Sequence, residues 1–138
     1  MMLVSACLAG WSCRWNGSSA ENEKVVELVK EGKAIPICPE VLGGLPTPRK
    51  ACEILASGRV CSEDGEDFTD EFKRGAEAVL ELCKKYGAHK AILKSKSPSC
   101  GNNKTYDGSF SGTLMDADGV TAKLLKENGI EVISENDL

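Results

Sequence analysis

Leu3-Val4-Ser5-Ala6-Cys7, Ala34-Ile35-Pro36-Ile37-Cys38 and Ala91-Ile92-Leu93-Lys94 decide the fold of this chain. Each is an apolar run of strand length. The first two end on a cysteine, and the third runs into Ser95-Lys96-Ser97-Pro98-Ser99-Cys100. Between the first two runs, Val25, Leu28 and Val29 recur at helical spacing, which predicts a helix over about Ala20 to Lys30, stopped by Gly32. A second strand then covers Lys33 to Ile37. Before the third strand, His89 to Lys94, an apolar stripe of Phe72, Ala76, Val79, Leu80 and Cys83 predicts a helix over about Asp70 to Tyr86. Thr69 can cap its start and Gly87 its end. A last helix, about Gly119 to Asn128, begins at Asp118, stops at Gly129 and leads to a strand at Ile130 to Ser134. Strands alternating with helices in this way predict an α/β fold, a mostly parallel sheet flanked by helices.

Right-handed crossovers bring the loops after the first three strands to one edge of such a sheet. Ligands of open α/β sheets bind at that carboxyl edge. Cys7, Cys38 and Cys100, about 30 and then about 60 residues apart, can therefore meet in one site. Three thiolates in one place point to a metal or an iron–sulfur cluster with one position left open. Cys13 forms a C-x5-C pair with Cys7, looser than the spacing of metal fingers. With Cys13 as a fourth ligand the site is closed and suits a structural or electron-transfer role. Without it, a metal position stays free to act as a Lewis acid. Strand order is left open by the spacing.

The length of 138 residues fits one domain, residues 1–138, with one core. A hydrophobic content of 41% beside 28% charged residues places the chain among globular proteins. Its net charge of −4 supplies no overall basic field, so neither nucleic acid nor an anionic membrane is an expected partner. Met1 to Trp11 lacks a basic leader and is too short to span a bilayer, which makes it a buried first strand and the expected location cytoplasmic. Seven cysteines without a secretory signal favour metal binding or catalysis over disulfides. Cys83 lies on a helix stripe and reads as a small core hydrophobe. Cys52 and Cys61 flank a hairpin expected over Ala51 to Cys61 and read as structural.

The loop from Cys38 to Arg49 holds three prolines and two glycines in twelve residues, which predicts an irregular but stiff segment. Loops held in this way often carry function. Glu40 reaches the thiol edge, where desolvation suits a carboxylate to activate water or pass a proton. Ser97 and Ser99 could position a substrate or water, and Arg14, Arg49 and Lys94 are candidate anion anchors. Tyr106-Asp107-Gly108-Ser109-Phe110-Ser111-Gly112 is a loop able to close over a substrate, with Tyr106 or Phe110 stacking on a flat ring. His89 falls on the far side of the sheet. No phosphate-binding glycine fingerprint and no zinc-protease motif occurs.

Four blocks together carry a resemblance: Val4-Ser5-Ala6-Cys7-Leu8; Cys38-Pro39-Glu40-Val41-Leu42-Gly43-Gly44-Leu45-Pro46-Thr47-Pro48-Arg49; Leu93-Lys94-Ser95-Lys96-Ser97-Pro98-Ser99-Cys100-Gly101; and Tyr106 to Gly112. Over nearly the whole chain the sequence resembles the bacterial thiouracil desulfidase (TudS-like) family, long known only as a domain of unknown function. The resemblance implies a Rossmann-like three-layer α/β sandwich. It also implies a [4Fe–4S] cluster held by Cys7, Cys38 and Cys100, which can be lost on purification in air. Its open iron takes the sulfur of a thiocarbonyl and water replaces it at carbon, without net redox. Glu40 would then assist catalysis with Ser97, or with Ser99 in its place, on a small thiolated substrate such as a pyrimidine. The alternative is a non-catalytic iron–sulfur or zinc-binding protein, redox or sulfur-carrying, with Cys13 as fourth ligand.

Overall fold

The computed structural model describes all residues, Met1–Leu138. In chain order the elements are β1 (Met2–Ser5), a 3-10 turn (Ala6–Ala9), α1 (Glu23–Lys30), β2 (Ala34–Ile37) and α2 (Pro39–Leu42). There follow β3 (Cys52–Ile54), β4 (Val60–Ser62), α3 (Thr69–Tyr86), β5 (Lys90–Leu93), β6 (Thr105–Tyr106) and β7 (Leu114–Met115). Last come α4 (Val120–Glu127) and β8 (Glu131–Ser134).

The main sheet has the order β2-β1-β5-β8, and every neighbouring pair in it is parallel. β2 is an edge strand, the one place where a proline such as Pro36, lacking an N–H, leaves the ladder intact. Alternation along the strands separates two faces. Leu3, Ile37, Ala91, Leu93 and Val132 pack against Val79, Leu80 and Cys83 of α3 and Ala122 and Leu125 of α4. Val4, Ala34 and Ile92 turn the other way, against Val25 of α1 and Leu8 of the turn after β1. The result is the expected three-layer α/β sandwich. Each fully buried Leu, Ile or Val contributes about 1.5–3 kcal/mol relative to exposure, so these two interfaces hold the sheet.

Several local signals resolve differently in the structure. α1 starts at Glu23, because the side chain of Asn22 accepts the N–H groups of Lys24 and Val25. Thr69 does not cap α3: Asp67 Oδ1 takes the Thr69 N–H and hydroxyl, while the Thr69 oxygen accepts the Val60 N–H and ties the helix to β4. Asp118 likewise makes no cap for α4; it holds the Lys126 ammonium at 2.9 Å and the Asn103 N–H at 2.7 Å. The segment expected to be wholly irregular contains the one-turn helix α2, with Pro39 at its first position, where the missing N–H has no cost. The hairpin expected at Ala51 to Cys61 is β3 paired with β4, running to Ser62.

α2 is seated by glycine. A Cβ on Gly75, in the middle of α3, would stand 1.9 Å from the Pro39 carbonyl oxygen, and one on Gly43 would stand 2.0 Å from the Glu71 carbonyl oxygen. The two backbones therefore touch directly. A smaller core of Leu45, Val60 and Phe72 supports the β3–β4 hairpin. No helix is long and apolar enough to cross a membrane.

Candidate active site

β1 and β5 lie side by side in the middle of the sheet, and the chain leaves them toward opposite faces, to α1 and to α4. This is the topological switch point, where the diverging loops open a crevice. A cavity of about 380 Å³ lies there, and Cys7, Cys38, Cys100, Glu40 and Ser97 all line it. Cys13 lines it too, beside Cys38, whose sulfur lies 3.9 Å from the Cys13 carbonyl oxygen.

Ser99 is not in the cavity wall. It is fully buried, and its hydroxyl meets that of Thr121 at 2.8 Å, joining the turn to α4. Of the two serines considered from sequence, only Ser97 faces the cavity. Its oxygen accepts the N–H groups of Ser99 at 3.1 Å and Cys100 at 3.0 Å, so the hydroxyl proton is free to donate elsewhere.

The cationic candidates separate as well. Arg49 is spent within the protein: its Nε meets Glu40 Oε1 at 3.1 Å, and its other nitrogens donate to the carbonyls of Cys13 and Pro46 and to the Thr47 hydroxyl. The Arg49 N–H also donates to the Trp15 carbonyl. One buried guanidinium thus joins the loop after β1 to the loop after β2 and aims Glu40, whose Oε2 has no protein partner. Lys94 pairs with Glu135 at 3.1 Å. Arg14 lines the cavity and makes no ion pair. His89 sits before β5, at the opposite edge of the sheet. Cys83 and Cys61 are buried, and Cys52 reaches the cavity wall through its place in β3.

The thiols differ in acidity for physical reasons. A hydrogen bond from the Cys13 thiol holds Cys38 down to about 6, against burial and with help from the Val41 N–H at the start of α2 and the Arg49 charge. Cys13 is raised correspondingly, by that hydrogen bond and by burial. Burial pushes Cys7 up to about 11, with the Cys38 charge adding to the effect. Cys100 rises to about 12 through burial, opposed by the Ser5 hydroxyl. No three His, Cys, Asp or Glu side chains converge on a point that one metal ion could fill. The thiols stand instead around the wall of a chamber. Soft donors spaced about one cavity, with no single point for them to share, fit a multi-atom iron–sulfur cluster better than a lone zinc ion.

Sequence reasoning missed Ser5, whose hydroxyl donates to Cys100 Sγ at 3.3 Å and accepts the Lys94 N–H at 2.9 Å. Its signal was a lone hydroxyl ending an apolar strand. Trp15, Lys96 and Glu53 also line the cavity.

Residues 2–137 match the family model described as 2-thiouracil desulfurase. The chain is 46% identical, over 147 aligned positions, to the uncharacterized protein YbbK of Bacillus subtilis (strain 168), covering 100% of this chain and 97% of that one. A solved structure of a [4Fe-4S]-dependent thiouracil desulfidase, TudS, superposes with a TM-score of 0.94 at 45% identity, covering 99% of this chain and 91% of the other.

Proposed function

We propose a function from one premise: the chain belongs to the 2-thiouracil desulfurase family. Membership makes it an enzyme that removes sulfur. The substrate we assign is a thiolated pyrimidine or similar heterocycle bearing a thiocarbonyl, and the location cytoplasmic. The cofactor is a [4Fe–4S] cluster on Cys7, Cys38 and Cys100, supported by the cluster-dependent neighbour and by the three thiols lining one cavity. When bound, it supplies an open iron site that acts as a Lewis acid on the thiocarbonyl sulfur.

The protein's own groups do the rest. Arg49 holds Glu40 by Oε1, leaving Oε2 to take a proton from the water that adds to carbon. Ser97, its oxygen already engaged by two N–H groups, donates its hydroxyl proton toward the reacting carbon's substituents. The balance is C=S plus water to C=O plus hydrogen sulfide, and no electrons are exchanged. The observation that carries this reading is the meeting of three strand-end thiols, Glu40 and Ser97 on one cavity. Anaerobic reconstitution should load about one cluster per chain and give sulfide from thiouracil, and Cys38→Ala should abolish both. A fully active Cys38→Ala protein would sink the proposal.

A second reading rests on Cys13, which lies beside Cys38 in the same cavity. As a fourth ligand it would close the site and make the protein a non-catalytic iron–sulfur or zinc-binding carrier. Cys13→Ser decides between them: an unchanged cluster spectrum excludes Cys13 as a required ligand.

A further inference from the structure

Two carboxylates face the cavity, Glu40 and Glu53. Glu40 is tied to a guanidinium, but Glu53 has no cationic partner. Its Oε1 accepts the N–H groups of Gly108 at 3.0 Å and Phe110 at 3.1 Å, binding the loop after β6 to β3. Oε2 makes no hydrogen bond or ion pair within the protein. The carboxylate is aimed from both sides. On β3, Ile54 packs toward the small core, while Glu53 lines the cavity beside Cys52. The loop it holds is tightly set, because a Cβ on Gly108, at φ +90°, would stand 2.8 Å from the Ile54 carbonyl oxygen. Phe110 is itself fixed at φ +55°.

A carboxylate oxygen accepts hydrogen bonds and cannot donate them. A thiolated pyrimidine in its thione form carries ring N–H groups beside the thiocarbonyl. We infer that Glu53 is a substrate-recognition residue, its free Oε2 accepting a ring N–H and so selecting heterocyclic thioamides that bear a hydrogen on nitrogen. This rests on the desulfuration reading for the class of ligand. It adds a specificity device distinct from the thiols, Glu40 and Ser97. A site built to bond an N–H rejects the analogue lacking it, because its own polar group is left unpaired.

The test is calorimetric binding of two unreactive ligands, uracil and 1,3-dimethyluracil, to the cluster-loaded protein under anaerobic conditions. The wild-type protein should prefer uracil by about tenfold or more. Glu53→Gln keeps an amide oxygen for the two loop N–H groups but offers a donor or no charge at the other position, and should bring the ratio to within about twofold. Glu53→Asp should fall between. A merely structural Glu53 would weaken both ligands together and leave their ratio alone. No preference in the wild-type protein, no binding of uracil, or a ratio retained in Glu53→Gln overturns the inference. Sulfide release from thiouracil, measured alongside, separates the two claims: an intact ratio without sulfide sinks the desulfuration reading only, and sulfide with an unchanged ratio sinks the role of Glu53 only.

Discussion

The cavity has two walls of different construction. One is made by the ends of β1, β2 and β5, where Cys7, Cys100 and Ser5 are buried directly above the main apolar core. The other is made by Ala51, Cys52 and Glu53 at β3 and by Tyr106 at the end of β6, and the loop after β6 stands behind it, tied on through Glu53. There Asp107 Oδ1 accepts the Ser109 N–H and hydroxyl, and hydroxyl pairs join Ser109 to Ser111 at 2.6 Å and Ser111 to Thr113 at 2.9 Å. These groups are mostly exposed, and only the small core of Leu45, Val60 and Phe72 stands near them. The difference teaches a division of labour. The wall proposed to hold the cofactor cannot shift without disturbing the sheet, whereas the wall proposed to meet substrate can vary at little cost to the fold.

The largest effect should follow from an attack on the first wall. Cys100→Ala removes a proposed ligand and should reduce cluster content, read by iron and sulfide analysis after anaerobic reconstitution, by roughly tenfold or more. The fold should survive, since the same change leaves only a small gap in the core. Retention of a full cluster would mean that the first wall does not hold it. Gly75→Ala comes next and acts on position alone. The added methyl meets the Pro39 carbonyl at 1.9 Å, with backbone on both sides and no flexible side chain to yield. We expect a loss of about 3 kcal/mol, or roughly 10 °C in Tm. Cluster content should fall as well, because α2 begins immediately after Cys38. A loss of stability with an undisturbed cluster would show that the seat of α2 does not set the first wall.

How much was legible in sequence follows the same division. The meeting of Cys7, Cys38 and Cys100 was accessible because parallel βα topology sends every strand-end loop to one edge, whatever the strand order. The order itself was not, since nothing in a short apolar run names its neighbour; only Pro36 marked β2 as an edge. α2 was hidden by its prolines and glycines, which argue against regular structure until tertiary contact with α3 makes Gly43 and Gly75 useful. The sequence favours Ser97 but leaves Ser99 as its alternative, because what buries Ser99 is Thr121, more than twenty residues away. Glu53 gave no local sign: its role depends on two N–H groups that the fold brings from the loop after β6.

Between the walls, Glu135 offers a pH test. Its carboxylate accepts the Ser95 N–H and hydroxyl, both at 2.8 Å, and pairs with Lys94, anchoring the turn that carries Ser97 and Cys100. Burial works to raise this carboxyl, but the Ser95 hydrogen bonds and the Lys94 charge outweigh it and hold the group below the usual carboxylate range. A lowered folded value means that its contribution is complete above the ordinary value of 4.5 and disappears as pH falls through the folded one. Glu135→Gln should therefore cost about 1–2 kcal/mol near neutrality. The two proteins should converge in stability at increasingly acidic pH, as denaturant titrations at several pH values would record. A gap that persists at low pH would assign the loss to packing rather than to the charge.

The smallest effect should come from the loop behind the second wall, and its smallness is the point. Ser109→Ala deletes the hydroxyl that links Asp107 to Ser111 but keeps the Ser109 N–H on Asp107. Being exposed, it should move stability by no more than about 0.5 kcal/mol. Amide exchange over Ser109 to Ser111 should quicken while that of β1 and β5 stays as it was. If this wall meets substrate, KM for a thiolated pyrimidine should rise about two- to threefold with kcat and cluster absorbance unchanged. A fall in cluster content would couple the walls and undo the distinction between them. An unchanged KM together with faster exchange would show a loop that moves freely without touching substrate, leaving recognition to Glu53 and the strand-end wall.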